Sequence, residues 1–220
     1  MTPYYDRGGI KIYNCDCREI LPQLPKVDLV LTDPPYGIGE HGGKARTRGD
    51  PRPNHPCGGW DNERPSRETL DLVRSRGMVQ MIFGGNYFAD MLPASRCWLY
   101  WRKLMGGDFA DGELIWTSLD AVVREFTKPN KGGNNQHPTQ KPVAVMKWCL
   151  GFVPDAETVL DPFMGSGTTL RAAKDLGRKA IGIEISQKYC DIAIKRLEQT
   201  VLPFDRPPTA VVSEVNRELF

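Results

Sequence analysis

Residues 158–169, Thr158-Val159-Leu160-Asp161-Pro162-Phe163-Met164-Gly165-Ser166-Gly167-Thr168-Thr169, constrain this chain more than any other stretch. They read as a short apolar strand, a glycine turn and the start of a helix in direct succession. The helix continues through Leu170, Ala172, Ala173 and Leu176, and Gly177 stands just past its end, where a left-handed residue closes a helix. A second apolar strand, Lys179 to Glu184, follows at once. The glycines let the backbone approach a ligand closely, and the helix N-terminus offers unpaired N–H groups to an anion. Leucine occupies position 170, where a dinucleotide fingerprint has its third glycine, and the lysine of a phosphate-binding loop is missing. Glu184, seventeen positions after Gly167, is placed to take two ribose hydroxyls. The pattern predicts a site for a nucleoside without a pyrophosphate.

A second signature lies far upstream. Asp33-Pro34-Pro35-Tyr36 directly follows the apolar run Val27 to Thr32, and so sits at a strand end. The two prolines fix φ near about −65° and carry no N–H, which holds the neighbouring carbonyls rigid and aimed outward. An exocyclic amine on a nucleobase is a poor nucleophile, because its lone pair is delocalised into the ring. Two acceptors on its hydrogens favour the pyramidal, reactive form, and Asp33 with the Pro34 carbonyl can supply them. An exposed Tyr36 would stack on the base, a contact worth about 1–3 kcal/mol. A base in a duplex reaches such a pocket only by flipping out. A proline-rich turn after a strand is the alternative reading of these four residues.

Together with His137-Pro138-Thr139-Gln140-Lys141-Pro142, the two signatures resemble those of the DNA amino-methyltransferases, and their order resembles that of the β group. The resemblance runs from about Ile10 to Leu197. It implies a Rossmann-like class I methyltransferase fold with permuted motif order, S-adenosyl-L-methionine as cofactor, and double-stranded DNA as substrate. The expected activity is site-specific methylation of adenine N6. Asp rather than Ser at position 33 favours adenine within the family. N4-cytosine methylation is the alternative, and an inactive subunit that binds S-adenosylmethionine and nucleic acid is a second one. The resemblance also assigns roles. Asp33, Pro34, Pro35 and Tyr36 are the catalytic residues. Asp16 and Cys17 hold the adenine of the cofactor, Asp16 having helix N-cap as its other reading. Asp161, Pro162 and Phe163 line the pocket together with Asp33, Gly165, Ser166, Gly167 and Thr168 form the turn, and Glu184 binds ribose. His137, Thr139 and Lys141 close over the methionine end, with a solvated lysine as the alternative for Lys141. A restriction-modification setting and a homodimer are compatible with the resemblance.

Net charge is only +2, but its distribution is uneven. Between His41 and Gly59, Lys44, Arg46, Arg48 and Arg52 stand against Asp50 alone, amid Gly and Pro and without apolar periodicity. We read a mobile basic loop, about 37–65, that tracks DNA phosphates through those four cations. A target-recognition region normally precedes the closing His-Pro segment, yet here only Lys128 to Gln136 fills that interval. A short or degenerate target sequence is therefore expected.

The remaining pattern predicts α/β architecture in one domain, residues 1–220, with a loose tail at 203–220: a doubly wound, mostly parallel sheet with an antiparallel edge. A helix is expected after Ser66, strands at 78–83 and 97–101, a hairpin pair from 113–116 and 121–126 at the sheet edge, and helices at 142–150 and after Ser186. Trp98, Trp101, Trp116 and Trp148 are assigned to packing. The six cysteines lack Cys-x-x-Cys spacing and the chain has three histidines, so no metal site or disulfide framework is expected, and the setting is read as reducing and cytoplasmic. No signal peptide or membrane span is legible.

Overall fold

The computed structural model of the protein describes residues 1–38, 63–104, 110–129 and 141–199. Within them the strands are β1 (Tyr5–Arg7), β2 (Ile10–Tyr13), β3 (Val27–Thr32), β4 (Gly77–Phe83), β5 (Trp98–Arg102), β6 (Gly112–Thr117), β7 (Arg124–Thr127), β8 (Thr158–Asp161) and β9 (Lys179–Ile183). The helices are α1 (Cys17–Ile20), α2 (Arg67–Ser75), α3 (Val143–Gly151), α4 (Thr168–Asp175) and α5 (Gln187–Glu198). All strands join one sheet in the order β1-β2-β9-β8-β3-β4-β6-β5-β7. Only β1 and β6 run against the rest.

Successive side chains of a strand point to opposite faces, and in the central strands both faces are covered. Leu29 and Leu31 of β3 and Val159 of β8 enter one core with Val145, Cys149 and Leu150 of α3, Leu170 of α4 and Ala193 of α5. Val30 and Leu160 enter the other, with Cys17 and Ile20 of α1 and Val73 of α2. Trp116 and Phe88 extend that second layer with Leu70 and Ile82. Trp101 and Trp116 are fully buried, and Trp98 and Trp148 pack against the cores, as expected. Among the described residues no helix is long and apolar enough to cross a membrane, and Cys15, Cys17, Cys97, Cys149 and Cys190 are free thiols.

The expected hairpin between 113–116 and 121–126 does not form. β5 lies between β6 and β7, antiparallel to the first and parallel to the second. Residues 118–123 pass around the start of β5, where Arg96 pairs with Asp120 at 2.8 Å and the Cys97 thiol reaches the Val122 carbonyl. Val122 and Val123, whose apolar character suggested a strand, are exposed in this connection. The antiparallel strands are thus one edge, β1, and one interior strand, β6, rather than an edge pair.

The sheet brings the two distant signatures together. β3 and β8 are neighbours, while the chain leaves β3 towards β4 and leaves β8 towards β9. Strand order therefore reverses between them, and a crevice opens at their C-terminal ends. Asp28 fastens the opposite end of this pair, accepting from the backbone N–H groups of Glu157 (3.0 Å) and Thr158 (2.8 Å) and from the Thr158 hydroxyl (2.7 Å). A cleft of about 560 Å³ between residues 154–157 and 176–179 also lies at that end, away from the crevice.

Candidate functional site

Asp161 ends β8 and is buried. Its Oδ1 accepts from the Thr32 hydroxyl of β3 at 2.7 Å and from the Phe163 backbone N–H at 3.2 Å. Burial raises its carboxyl to about 6, against the pull of hydrogen bonds from Thr169, Thr32 and Phe163. Asp161 thus welds the two strand ends and the following turn together.

That turn is shaped by two left-handed glycines, Gly165 (φ 49°) and Gly167 (φ 77°). A Cβ on Gly167 would lie 2.7 Å from that of Ala193, whereas one on Gly165 would meet nothing within 4 Å. Gly167 is required by packing against α5, and Gly165 leaves the face of the turn open. The oxygens of Thr168 and Ser166 accept from Arg196 of α5 at 2.8 and 3.3 Å, so these two hydroxyls brace the turn. Glu184, just past β9, accepts from the backbone N–H groups of Gly165 (3.1 Å) and Ser186 (2.8 Å). Burial raises its carboxyl, and those same donors oppose the rise. A carboxylate has about four acceptor directions, so Glu184 keeps capacity for a ligand hydroxyl. The open Gly165, the N-terminus of α4 and the acid at the end of β9 fit a nucleoside-bearing cofactor. Asn14 ties the Glu184 backbone carbonyl to the end of β2 at 2.9 Å. Asp16 there caps α1 through the Arg18 N–H and pairs with the Arg18 side chain, which holds its carboxyl below the usual range. Cys17 is buried, its thiol pushed up to about 12 by desolvation.

Asp33, at the end of β3, carries the other half of the site. Its Oδ1 accepts from the Tyr36 hydroxyl at 2.5 Å and its Oδ2 faces the Lys141 ammonium at 2.6 Å. The Tyr36 ring, only partly exposed, stacks on Tyr87 with centroids 4.7 Å apart. Gly84 has φ 64°, and a Cβ there would collide with the Tyr36 ring, so this glycine admits the aromatic pair. Lys141 is not solvated: its side chain is 6% exposed and lies 3.2 Å from Glu113 as well. Glu113, at the head of β6, in turn pairs with Lys103 at 2.5 Å. The result is a part-buried line of alternating charge, Lys103, Glu113, Lys141, Asp33. Burial raises the Asp33 carboxyl against the pull of Lys141, and the paired carboxylates hold Lys141 firmly protonated.

Asp33, Tyr36, Lys141, Asp161, Gly165, Gly167 and Glu184 therefore surround the C-terminal ends of β3, β8 and β9, together with Pro34, Pro35, Pro162 and Phe163 by chain connection. Asp16 and Cys17 lie at the end of β2, one strand further out. His137 and Thr139, and the DNA-binding candidates Lys44, Arg46, Arg48 and Arg52, lie outside the described residues. Glu113, Lys103, Tyr87 and Arg196 were not singled out from the sequence. For Glu113 the one local trace is a carboxylate opening an otherwise apolar strand.

A family model described as DNA methylase matches residues 95–195. The type II methyltransferase M.HinfI of Haemophilus influenzae is 29% identical over 84% of this chain and 67% of its own length. Two solved structures share the fold. M1.HpyAVI in complex with SAM superposes with a TM-score of 0.59 at 24% identity, over 86% of this chain and all of that one. The PvuII DNA methyltransferase, described as cytosine-N4-specific, gives 0.62 at 15% identity, over 91% and 90% of the two chains. The sheet is that of the Rossmann-like class I methyltransferases.

Proposed function

We propose that this chain is a DNA amino-methyltransferase that methylates the N6 amine of adenine at a specific site in DNA. Its methyl donor is S-adenosylmethionine, which when bound supplies an electrophilic sulfonium methyl to the amine and departs as a neutral thioether. The observation that carries the reading is the Asp33 carboxylate, held by Tyr36 and Lys141 at the mouth of the crevice beside the glycine turn.

The chain's own residues have separable tasks. Glu184 would take the ribose hydroxyls, and Gly165 with the N-terminus of α4 would hold the cofactor. Asp161 holds the turn against β3, so cofactor and base meet at the same strand ends. Asp33, 21% exposed, accepts one hydrogen of the target amine, and the rigid Pro34 carbonyl accepts the other. Tyr36 stacks on the extruded base, which requires flipping and draws support from its partial exposure beside Tyr87. As the nitrogen alkylates its acidity rises, and one of its two protons leaves to Asp33 or to water. Lys141 is already charged and takes no part as an acceptor. Positioning and fixed charge carry the rate.

Aspartate at position 33, together with the family resemblance, supports adenine over cytosine. The test is transfer of labelled methyl from S-adenosylmethionine to unmethylated DNA, followed by nucleoside analysis, with Asp33→Ala as control. Label in N6-methyladenine that disappears in the control is the expected result. Label in N4-methylcytosine would keep the mechanism and overturn the base. Cofactor binding with no label in DNA would overturn the reading itself.

A further inference from the structure

We propose that Lys141 is a positioning residue that aims the Asp33 carboxylate at the substrate amine, and that Glu113, braced by Lys103, is the anchor that holds Lys141 in place. The proposal deepens the methyl-transfer reading above and rests on it.

Residues from three separate parts of the chain converge to make the arrangement. Asp33 closes β3, Glu113 opens β6, Lys103 follows β5 and Lys141 immediately precedes the N-cap of α3. The separations along the line are 2.5 Å from Lys103 to Glu113, 3.2 Å from Glu113 to Lys141, and 2.6 Å from Lys141 to Asp33. Exposure rises from 6% at Lys141 to 21% at Asp33, so the line ends on the one member that faces the crevice most openly. Glu113 Oε2 is buried and lies 3.2 Å from the Lys141 ammonium, so its hold on Lys141 is chiefly one of charge. With Oδ2 taken by Lys141 and Oδ1 by Tyr36, the carboxylate plane is fixed by contacts on both oxygens.

The arrangement has a consequence that packing alone does not produce. The groups facing Asp33 are Lys141 and Tyr36 by contact, with Glu113, Lys103 and Asp161 further off. Removing the Lys141 charge leaves Asp33 and Glu113 as two buried carboxylates without their shared cation, so Asp33 titrates higher. Asp33 in its acid form offers a donor where the amine needs an acceptor. Removing the Glu113 charge deletes a nearby negative group and leaves the cation to Asp33 alone, so Asp33 titrates lower. The two single variants thus move one titration in opposite directions.

The experiment is a titration of the ¹³C-labelled Asp33 carboxyl in the full chain without cofactor or DNA, with assignment by Asp33→Asn. It is run beside pH profiles of kcat and of KM for S-adenosylmethionine. Lys141→Met is expected to move the Asp33 midpoint and the acid limb of kcat up by about one unit or more, and Glu113→Gln to move both down. In Lys141→Met, kcat on the acid limb should fall about tenfold for each unit of that shift while KM for the cofactor changes little. Lys141→Arg should restore much of the loss, and it also serves if the methionine variant does not fold. Equal directions of shift in Lys141→Met and Glu113→Gln would overturn the proposal, as would an unmoved Asp33 midpoint. So would a raised KM with kcat intact, which would assign Lys141 to the cofactor. If the wild-type protein failed to methylate DNA, the methyl-transfer reading would fall, while the carboxyl titration would still report on the Lys141–Asp33 contact.

Discussion

At the residue scale the site concentrates carboxylates that burial makes harder to ionise. Asp161 is the strongest defined case, raised to about 6, and Asp33 and Glu184 shift in the same direction. An acid that titrates higher when folded takes up a proton on folding. The stability it contributes is full below about pH 4 and declines as the pH rises through about 6. For Asp161 the difference at neutral pH is about 3 kcal/mol. Asp161→Asn should therefore flatten the decline between pH 4 and 6 without abolishing it, as read from urea midpoints at fixed ionic strength. An unchanged slope would be fatal to this account. The two glycines of the turn separate in another way. Gly167→Ala adds left-handed strain to a clash with Ala193 and should cost about 3 kcal/mol of stability. Gly165→Ala carries strain alone, about 1–2 kcal/mol, and should weaken cofactor binding in calorimetry more than it lowers the melting temperature. The placement of Asp33, Tyr36, Glu184 and both glycines at one site was legible in the sequence because each stands close to its own strand end. Glu113 and Lys103 were not, because their charge pair matters only through Lys141, which the fold brings from another part of the chain; the Lys141–Asp33 contact spans 108 positions.

At the scale of elements, the helices and the parallel strands followed their periodicity closely, with Ser66 capping α2 and Gly177 closing α4 as expected. The misread pair shows what periodicity omits. Adjacent apolar runs joined by a short link read as a hairpin, but which strand fills the space between them depends on a third element, here β5. The Thr117 hydroxyl on the Cys97 carbonyl (2.8 Å) and the Ser95 hydroxyl on the Thr117 carbonyl (2.6 Å) fix that insertion, and neither contact is local. The β3–β8 pair is fastened at both ends, by Asp28 and by Thr32 with Asp161. Asp28→Ala removes one charged acceptor from three donors and should cost about 2 kcal/mol in urea unfolding. Hydrogen bonds from Thr158 and Glu157 hold the Asp28 carboxyl below its ordinary value, so its contribution is present at neutral pH and lost on acidification. That is opposite in sign to Asp161, and acid titration of the two variants distinguishes them.

At the scale of the molecule, we propose that the short interval at 128–136 and the four cations between 44 and 52 set how DNA is read. Methylome sequencing of a host expressing the protein should find methylation at a short or degenerate motif. A unique six-base motif read with high fidelity would defeat that expectation. Replacing Lys44, Arg46, Arg48 and Arg52 by Ser should reduce the salt dependence of DNA binding, by a slope of about 1 for each phosphate that is no longer neutralised. The fold class was legible from the alternation of strands and helices, whereas the order of strands across the sheet was settled by pairings between remote segments. Those pairings also impose a timetable. Ile10 of β2 pairs with Ala180 of β9, and Leu29 of β3 with Val159 of β8, so early-made strands have partners near the far end of the described chain. Such long loop closures slow the formation of a sheet. During synthesis β2 waits for a neighbour that is translated some 170 codons later, and the crevice comes into being only after β9 has left the ribosome.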